Sequence, residues 1–369
     1  MLCQRISAEQ NILACIRGYR VNCMARPIPV PIICLLIEKN TLSASDSPSQ
    51  TAVSGLIGQD MLAVDRIITQ RLSSGVPLVG EVSQHIIMAG GKRLRPVLLL
   101  LMAGALGYKG SDHHTLAAVI EFIHTATLLH DDVVDDSKLR RSKPTANAIF
   151  GNPASVLVGD FLYSRAFQMM VECQNMRILD IVADATNVIA EGEVMQLMNM
   201  HDASLDENGY LNVIRSKTAK LFEASTRLPA VINGNSSAVE SACAEYGQAL
   251  GTAFQVIDDV LDYDGDAALL GKNLGDDLRE GKATLPLIVA MQRGSPDECA
   301  LIRQAIENGE VESLQKIAAI VRSTGAMQAT REAASAQARL ALNALHVLAD
   351  SDYKTALAAL AEQLLDRQS

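Results

Sequence analysis

Two groups of aspartates carry the clearest chemistry in this sequence. Both have the pattern Asp-Asp-x-x-Asp, formed by Asp131, Asp132 and Asp135 in the first group and by Asp258, Asp259 and Asp262 in the second. Each group follows an apolar, helix-forming run, so its first and last members would share one face of a helix. Like charges this close repel one another, and they need a cation. One such group could be a solvated acidic helix end, but two favour a Mg²⁺ site, because carboxylates commonly bridge Mg²⁺ to substrate phosphates.

A glycine-rich basic turn provides the opposite charge. It reads Gly-Gly-Lys-Arg-Leu-Arg-Pro from Gly90 to Pro96, and its proline suits the first turn of a helix. Backbone N–H groups at a helix start, together with Lys and Arg side chains, can bind a diphosphate. Alone, the turn is equally consistent with an ordinary basic loop. Further cations stand near the aspartate groups, at Arg140, Arg141, Lys217 and in the segment from Lys272 to Lys282, and this pattern predicts metal-bridged recognition of polyphosphates.

These residues lie in or beside segments with the periodicity of helices. From about residue 55 onward, apolar residues recur at spacings of three and four, and alternating polar and apolar runs are almost absent. Stretches such as 97–105 and 119–129 lack a polar face, which is typical of helices inside a large bundle. We therefore expect an all-α fold. The predicted helices cover residues 60–72, 96–106, 115–138, 155–173, 176–200, 207–228, 238–263 and 285–293, and Gln255 would share a helix face with Asp258 and Asp262.

Composition excludes some classes of function. The formal net charge of −10, the absence of Trp and an aromatic content of 4% argue against nucleic-acid binding. The seven cysteines contain no Cys-x-x-Cys pair, so neither a zinc site nor a disulfide framework is indicated. A reducing compartment, the cytoplasm, fits best. We expect no transmembrane segment, because the apolar run from Pro27 to Ile37 is too short and contains prolines.

The first 50 residues differ from the rest of the chain. They contain four of the seven cysteines, several arginines, a proline-rich run and then a serine-rich stretch. We predict a dispensable or disordered N-terminal extension over residues 1–50, followed by one helical domain over residues 51–369. The alternative is a mitochondrial presequence, which would place the protein in the matrix.

An ordered set of motifs resembles those of the trans-polyprenyl diphosphate synthases, and among them the bacterial octaprenyl diphosphate synthases that make quinone side chains. The resemblance runs from about Leu56 to the C terminus. Its motifs are GGKRLRP at 90–96, FIHTATLLHDDVVDDSKLRRSKPTAN at 122–147, ASVLVGDFLYSRAFQMM at 154–170, EGEV at 191–194, SKTAKLFEAS at 216–225, GTAFQVIDDVLDY at 251–263 and GKNLGDDLREGKATLPL at 271–287.

The resemblance implies a single large helical bundle of the isoprenoid synthase type with a central active-site cavity. It implies ionisation of an allylic diphosphate, attack by the double bond of isopentenyl diphosphate on the cation, and loss of a proton. The six aspartates would hold three Mg²⁺ ions around the allylic diphosphate, with Lys217 also catalytic. Residues matching isopentenyl diphosphate ligands are Lys92, Arg95, His124 and Arg141; those matching allylic diphosphate ligands are Arg140, Lys217, Thr218, Gln255 and Lys272.

Product length can be argued from the residues just before Asp131. Ala126 and Thr127 are small where short-chain synthases usually carry a bulky aromatic residue. We therefore expect a tunnel past Ala126 and a long product, octaprenyl diphosphate made from farnesyl diphosphate, with heptaprenyl to decaprenyl lengths left open. The resemblance also implies a homodimer, with transient membrane contact during product release.

Three alternatives remain. A non-catalytic partner subunit is disfavoured because both aspartate groups and the basic turn are intact. A terpene cyclase or head-to-head condensing enzyme would not need the basic turn with His124. A purely structural bundle would leave clustered carboxylates in apolar runs without a cation, at an energetic cost.

Overall fold

The computed structural model describes residues 48–88, 90–140, 143–264 and 275–365. Arg141, Lys272 and almost all of the predicted N-terminal extension lie outside the described residues. The first half contains α1 Pro48–Arg71, α2 Pro77–Met88, α3 Leu94–Ala105, α4 Asp112–Val134, β1 Leu139–Arg140, β2 Lys143–Pro144, α5 Ala146–Phe150, α6 Asn152–Glu172 and α7 Met176–Met198. The second half contains α8 Glu207–Ile214, a π-helical turn Arg215–Ala219, α9 Lys220–Ile232, α10 Ser237–Asp264, α11 Asp276–Arg279, α12 Leu285–Arg293, α13 Pro296–Asn308, α14 Leu314–Ser323, α15 Ala326–Ala344, a 3₁₀ turn Leu345–Val347 and α16 Asp352–Leu365.

Helix α10 packs into two parts of the core, one with each of its halves. Its first half packs through Tyr246, Leu250 and Ala253 into a core shared with α3, α4, α6 and α9. Its second half, with Val256 and Val260, packs into a core shared with α12 to α15. The second aspartate group therefore lies where the helix passes through the interior. The predicted all-α fold is confirmed.

Three local features differ from the predicted helices. The helix predicted over 115–138 ends at Val134, and Asp136 adopts a left-handed φ of 47° that turns the chain into the ribbon β1–β2. The helix predicted over 207–228 is divided by the π-helical turn. Helix α2 was not predicted, because Gly80 weakens a short helical pattern. Packing against α6 stabilises this helix. Among the described helices, none has the length and hydropathy needed to cross a membrane.

Candidate active site

The two aspartate groups face one another across a cavity of about 210 Å³. Asp131 and Asp135, at the end of α4, line one wall, and Asp259 of α10 lines the other. Asp135 stands just beyond the helix, where its N–H donates to the Asp131 carbonyl at 2.8 Å. Carboxylate oxygens converging from two elements form a hard donor set that suits Mg²⁺. Both aspartate groups thus reach one cavity, the first through Asp131 and Asp135 and the second through Asp259.

Asp132 is turned away from this cavity. Its side chain is fully buried, and Arg140 of β1 donates to its Oδ1 from Nε at 3.0 Å and from Nη2 at 2.7 Å. Burial raises the pKa of Asp132, while the Arg140 guanidinium opposes that rise. Asn147 adds a hydrogen bond to the Asp132 carbonyl at 2.9 Å. In this structure, Asp132 and Arg140 bind each other and fix the ribbon to α4. Their roles toward a metal and the allylic diphosphate stay predictions.

The second group also sends one aspartate into the cavity. Asp259 Oδ2 accepts a hydrogen bond from the Tyr210 hydroxyl at 2.5 Å, and its Oδ1 accepts one from Gln255 Nε2 at 2.8 Å. The Thr218 hydroxyl donates in turn to Gln255 Oε1 at 3.0 Å. Burial and nearby Asp277 raise the pKa of Asp259 well above its ordinary value. Thr218, Gln255 and Tyr210 therefore hold this carboxylate in one orientation.

The other two aspartates of this group lie elsewhere. Asp262 is fully buried, and its Oδ2 accepts a hydrogen bond from the Asp277 N–H at 3.2 Å. Asp258 is half-buried and lies outside the cavity lining. Gln255 and Asp259, four residues apart, line the cavity, and the metal-binding roles of Asp258 and Asp262 stay predictions.

Two lysines lie between the aspartate groups. Lys217 Nζ lies 2.5 Å from Glu193 Oε2 and 3.6 Å from Asp131 Oδ1. Burial, with Asp131 beside it, raises the pKa of Glu193 to about 7, and Lys217 opposes that rise.

The second lysine, Lys282, is paired with Glu280 and lies 4.0 Å from Asp135 Oδ2. Burial alone would lower the pKa of Lys282, but Glu280, Asp277 and Asp135 together raise it. Both ammonium groups line the cavity and are within reach of an anion bound there.

The π-helical turn that carries Lys217 and Thr218 is packed between two glycines. A Cβ added to Gly192 of α7 would lie 2.7 Å from Lys217 N, and one added to Gly251 of α10 would lie 2.7 Å from Ala219 Cα. Both contacts are with backbone atoms, which cannot swing aside as a flexible side chain can. Glycine at both positions therefore allows this wide turn to fit, and such turns are frequent at functional sites.

The basic turn forms a separate cluster with α4. Arg95 is half-buried, its Nη1 lies 3.2 Å from His124 Nε2, and its guanidinium carbon lies 4.4 Å from the centroid of the Phe222 ring. Burial lowers the pKa of Arg95 to about 10, so the group stays charged at neutral pH. Lys92 is exposed beside it. The structure thus brings Arg95 and His124 together, as an anion site at this turn requires.

A second cavity, of about 300 Å³, adjoins the first and shares Asp131, Asp135 and Gln196 with it. Its remaining lining is mostly apolar and comes from α4, α6 and α7. Thr127 lines this cavity, whereas Ala126 is fully buried in the core. The product path past Ala126 and Thr127 stays a prediction, and Thr127 is the member of this pair that lines the second cavity.

Four residues of the site were absent from the predicted set: Tyr210, Glu193, Asp277 and Lys282. Three of them lie inside motifs that the sequence analysis had singled out, EGEV and GKNLGDDLREGK. Tyr210 had no comparable signal, because its partner Asp259 lies 49 residues away in the chain.

Comparison with known proteins agrees with this geometry. The family model described as polyprenyl synthetase matches residues 76–323. The octaprenyl diphosphate synthase of Escherichia coli (strain K12) is 49% identical over 316 residues, which are 85% of this chain and 98% of the relative.

Two solved structures share the fold over nearly their whole length. A polyprenyl synthase from Caulobacter crescentus CB15, complexed with calcium and isoprenyl diphosphate, has a TM-score of 0.83 and 45% identity, covering 86% of this chain and 98% of that one. A decaprenyl diphosphate synthase from Rhodobacter capsulatus has a TM-score of 0.83 and 45% identity, covering 87% and 100%.

Proposed function

This chain belongs to the polyprenyl synthetase family, and we propose that it extends an allylic diphosphate with isopentenyl diphosphate in this cavity. The enzyme is a long-chain trans-polyprenyl diphosphate synthase. The observation that carries the proposal is the meeting of Asp131 and Asp135 with Asp259 across one cavity, with a lysine at each side.

The metal-binding residues in this proposal are the cavity carboxylates. Asp131, Asp135 and Asp259 would hold Mg²⁺, three ions by resemblance, and Mg²⁺ when bound neutralises the charge that develops on the leaving diphosphate. Lys217 and Lys282 can each exchange a carboxylate partner for a diphosphate oxygen, which stabilises the same charge. The calcium in the C. crescentus structure supports a divalent ion at such a site.

The two substrates occupy different parts of the site in this proposal. Gln255 and Thr218 lie beside Asp259 and bind the allylic diphosphate together with the two lysines. Lys92, Arg95 and His124 bind isopentenyl diphosphate at the basic turn, and the apolar second cavity receives the growing chain. The matching residues Arg141 and Lys272 complete these sets by resemblance, outside the described residues. An apolar, water-poor cavity protects the allylic cation from water.

One assay tests the reaction and the product length together. The purified protein is incubated with Mg²⁺, labelled isopentenyl diphosphate and farnesyl diphosphate, and the dephosphorylated products are separated by chain length. We expect one main product of octaprenyl length. No elongation would favour the partner-subunit alternative, and a discrete product of nonaprenyl or decaprenyl length would correct the length alone.

Thr127 is the residue at which we expect to change product length. A Phe at Thr127 would project into the second cavity and block the growing chain, so the main product should become shorter. Chain-length analysis measures this, with Thr127→Val as a control of nearly unchanged volume. A Phe at Ala126 is expected to overpack the core and lower the unfolding free energy by about 1–3 kcal/mol. An unchanged product spectrum for Thr127→Phe would contradict the assignment of the cavity.

Tyr210 is expected to act as a positioning residue for Asp259. Tyr210→Phe removes the hydrogen bond of 2.5 Å to a buried carboxylate, and bonds to charged groups contribute about 1.5–3 kcal/mol. We expect kcat to fall about tenfold or more and the Mg²⁺ concentration for half-maximal activity to rise. Tyr246→Phe is a matched control, because it removes another buried hydroxyl, which donates to the Leu357 carbonyl at 2.8 Å. Equal kinetic effects of both variants would refute a specific role for Tyr210.

The N-terminal extension is proposed to be dispensable. Deleting residues 1–47 leaves every described helix whole, so kcat and melting temperature should stay within the error of the full-length values. Side-by-side assays of the two proteins measure this. A large loss of turnover in the truncated protein would show that the segment takes part in catalysis or folding.

A homodimer is supported by apolar side chains on the surfaces of α6 and α7. Leu157, Val171, Met176 and Leu197 are each more than half exposed. Exposed apolar groups on neighbouring helices are typical of subunit interfaces. Analytical ultracentrifugation tests the proposal, and a monomer at micromolar concentration would contradict it.

A further inference from the structure

Three metal-ligating side chains meet where α1 packs against the start of α4. Asp60 comes from α1, and His113 and His114 occupy the first turn of α4. Asp60 Oδ1 lies 2.8 Å from His114 Nε2 and 3.8 Å from His113 Nε2, and the ligand atoms of the three residues all lie within 4.8 Å of one another. The cysteine pattern had indicated no zinc site, but this donor set uses no cysteine and joins residues far apart in the chain.

The two histidines are placed side by side despite being neighbours in a helix. Their ring centroids lie 3.9 Å apart, and the Tyr108 ring packs edge-on against His113 at 5.3 Å. Both imidazoles can therefore turn a nitrogen toward the Asp60 carboxylate.

We propose that Asp60, His113 and His114 form a site for a transition-metal ion of the Zn²⁺ class. Two imidazole nitrogens and one carboxylate oxygen suit Zn²⁺, whereas Mg²⁺ prefers oxygen ligands alone. The Asp60 side chain is 35% exposed, so water and ions can reach this cluster from solvent. The bound ion joins α1 to α4 and stabilises their contact.

This site is separate from the proposed catalytic centre. His113 and Asp131 lie at opposite ends of α4, about 27 Å apart at the rise of an α-helix. The inference does not depend on the proposed reaction, because it can be tested by metal binding alone.

The test uses the full chain, stripped with a chelator and kept in excess Mg²⁺ so that the cavity carboxylates are saturated. Calorimetric titration with Zn²⁺ should give one site per chain, and Zn²⁺ should raise the melting temperature by a few degrees. His113→Gln and Asp60→Asn should each weaken Zn²⁺ binding at least about tenfold. His346→Gln, at an exposed position in the C-terminal region, should leave it unchanged.

A spectroscopic measurement on the unmodified protein guards against a variant that fails to fold. Co²⁺ in the same buffer should show the visible absorption of a low-coordinate site with nitrogen ligands. An octahedral, all-oxygen Co²⁺ spectrum would overturn the proposal. So would Zn²⁺ affinities that are equal in the unmodified protein and in a folded His113→Gln variant, since Asp60 and His114 would then form only an ion pair between the two helices.

Discussion

Replacing Asp131 with Asn is expected to lower kcat at least about 1,000-fold while the fold stays intact. Asp131 is a cavity carboxylate and lies 3.6 Å from Lys217 Nζ, so its charge serves both the proposed metal and the lysine. Losing transition-state stabilisation of about 4 kcal/mol corresponds to a factor of this size. Incorporation of labelled isopentenyl diphosphate measures kcat, and circular dichroism measures the melting temperature.

Asp136→Asn is the matched control for this variant. Asp136 lies five residues further along, and its side chain is 75% exposed and paired with Lys138. We expect it to leave kcat and melting temperature unchanged, because exposed pairs contribute little. A loss of less than tenfold for Asp131→Asn at saturating Mg²⁺ would contradict the assignment of this carboxylate to the reaction.

Replacing Arg140 with Ala is expected to lower the free energy of unfolding. Arg140→Ala leaves the fully buried Asp132 carboxylate without the guanidinium that binds it at 2.7 and 3.0 Å. Breaking one side of a buried pair is costly, and we expect the unfolding free energy to fall by about 3 kcal/mol. Urea denaturation followed by circular dichroism measures this change. Lys138→Ala, which removes a cation 65% exposed, should change it by less than about 0.5 kcal/mol.

A double variant separates this structural role from substrate binding. If Arg140 mainly neutralises Asp132, adding Asp132→Asn to Arg140→Ala should restore part of the lost stability, as coupled residues do. If Arg140 binds the allylic diphosphate instead, Arg140→Ala should raise the KM for that substrate with little change in unfolding free energy. The second outcome would contradict the role that the structure assigns to the pair.

The sequence allowed the fold class to be predicted because long apolar helices without a polar face can be stable only inside a bundle. Lys217, Thr218 and Gln255, which the resemblance assigned to the substrate site, line the cavity, and each belongs to a dense local motif. The direction of each aspartate was harder to predict. Adjacent residues on a helix point about 100° apart, so only one of Asp258 and Asp259 needs to face the cavity directly. Which of them does so depends on how α10 is rotated, and contacts with distant helices set that rotation.

The same reasoning explains the difference between Ala126 and Thr127. Both are small and adjacent in sequence, yet one is in the core and the other lines the second cavity. Residue size predicted an open path, but only the packing of α4 against its neighbours shows on which side that path lies. The partnership of Tyr210 with Asp259 is likewise set by packing between α8 and α10.

The π-helical turn at Arg215–Ala219 makes this site sensitive to chain length as well as to side-chain identity. The turn holds one more residue than an α-helical turn would, so removing Ser216 could restore a continuous α-helix from α8 into α9. The extra residue is absorbed within the turn, so the helices on either side would keep their rotation, while the backbone of the turn would no longer bulge between Gly192 and Gly251. Lys217 and Thr218, which belong to the turn, would be displaced from their present positions at the cavity, and we expect such a deletion to retain helical content but lose turnover. In a library of variants, single-residue deletions at this turn should therefore be less tolerated than substitutions of its outward-facing side chains.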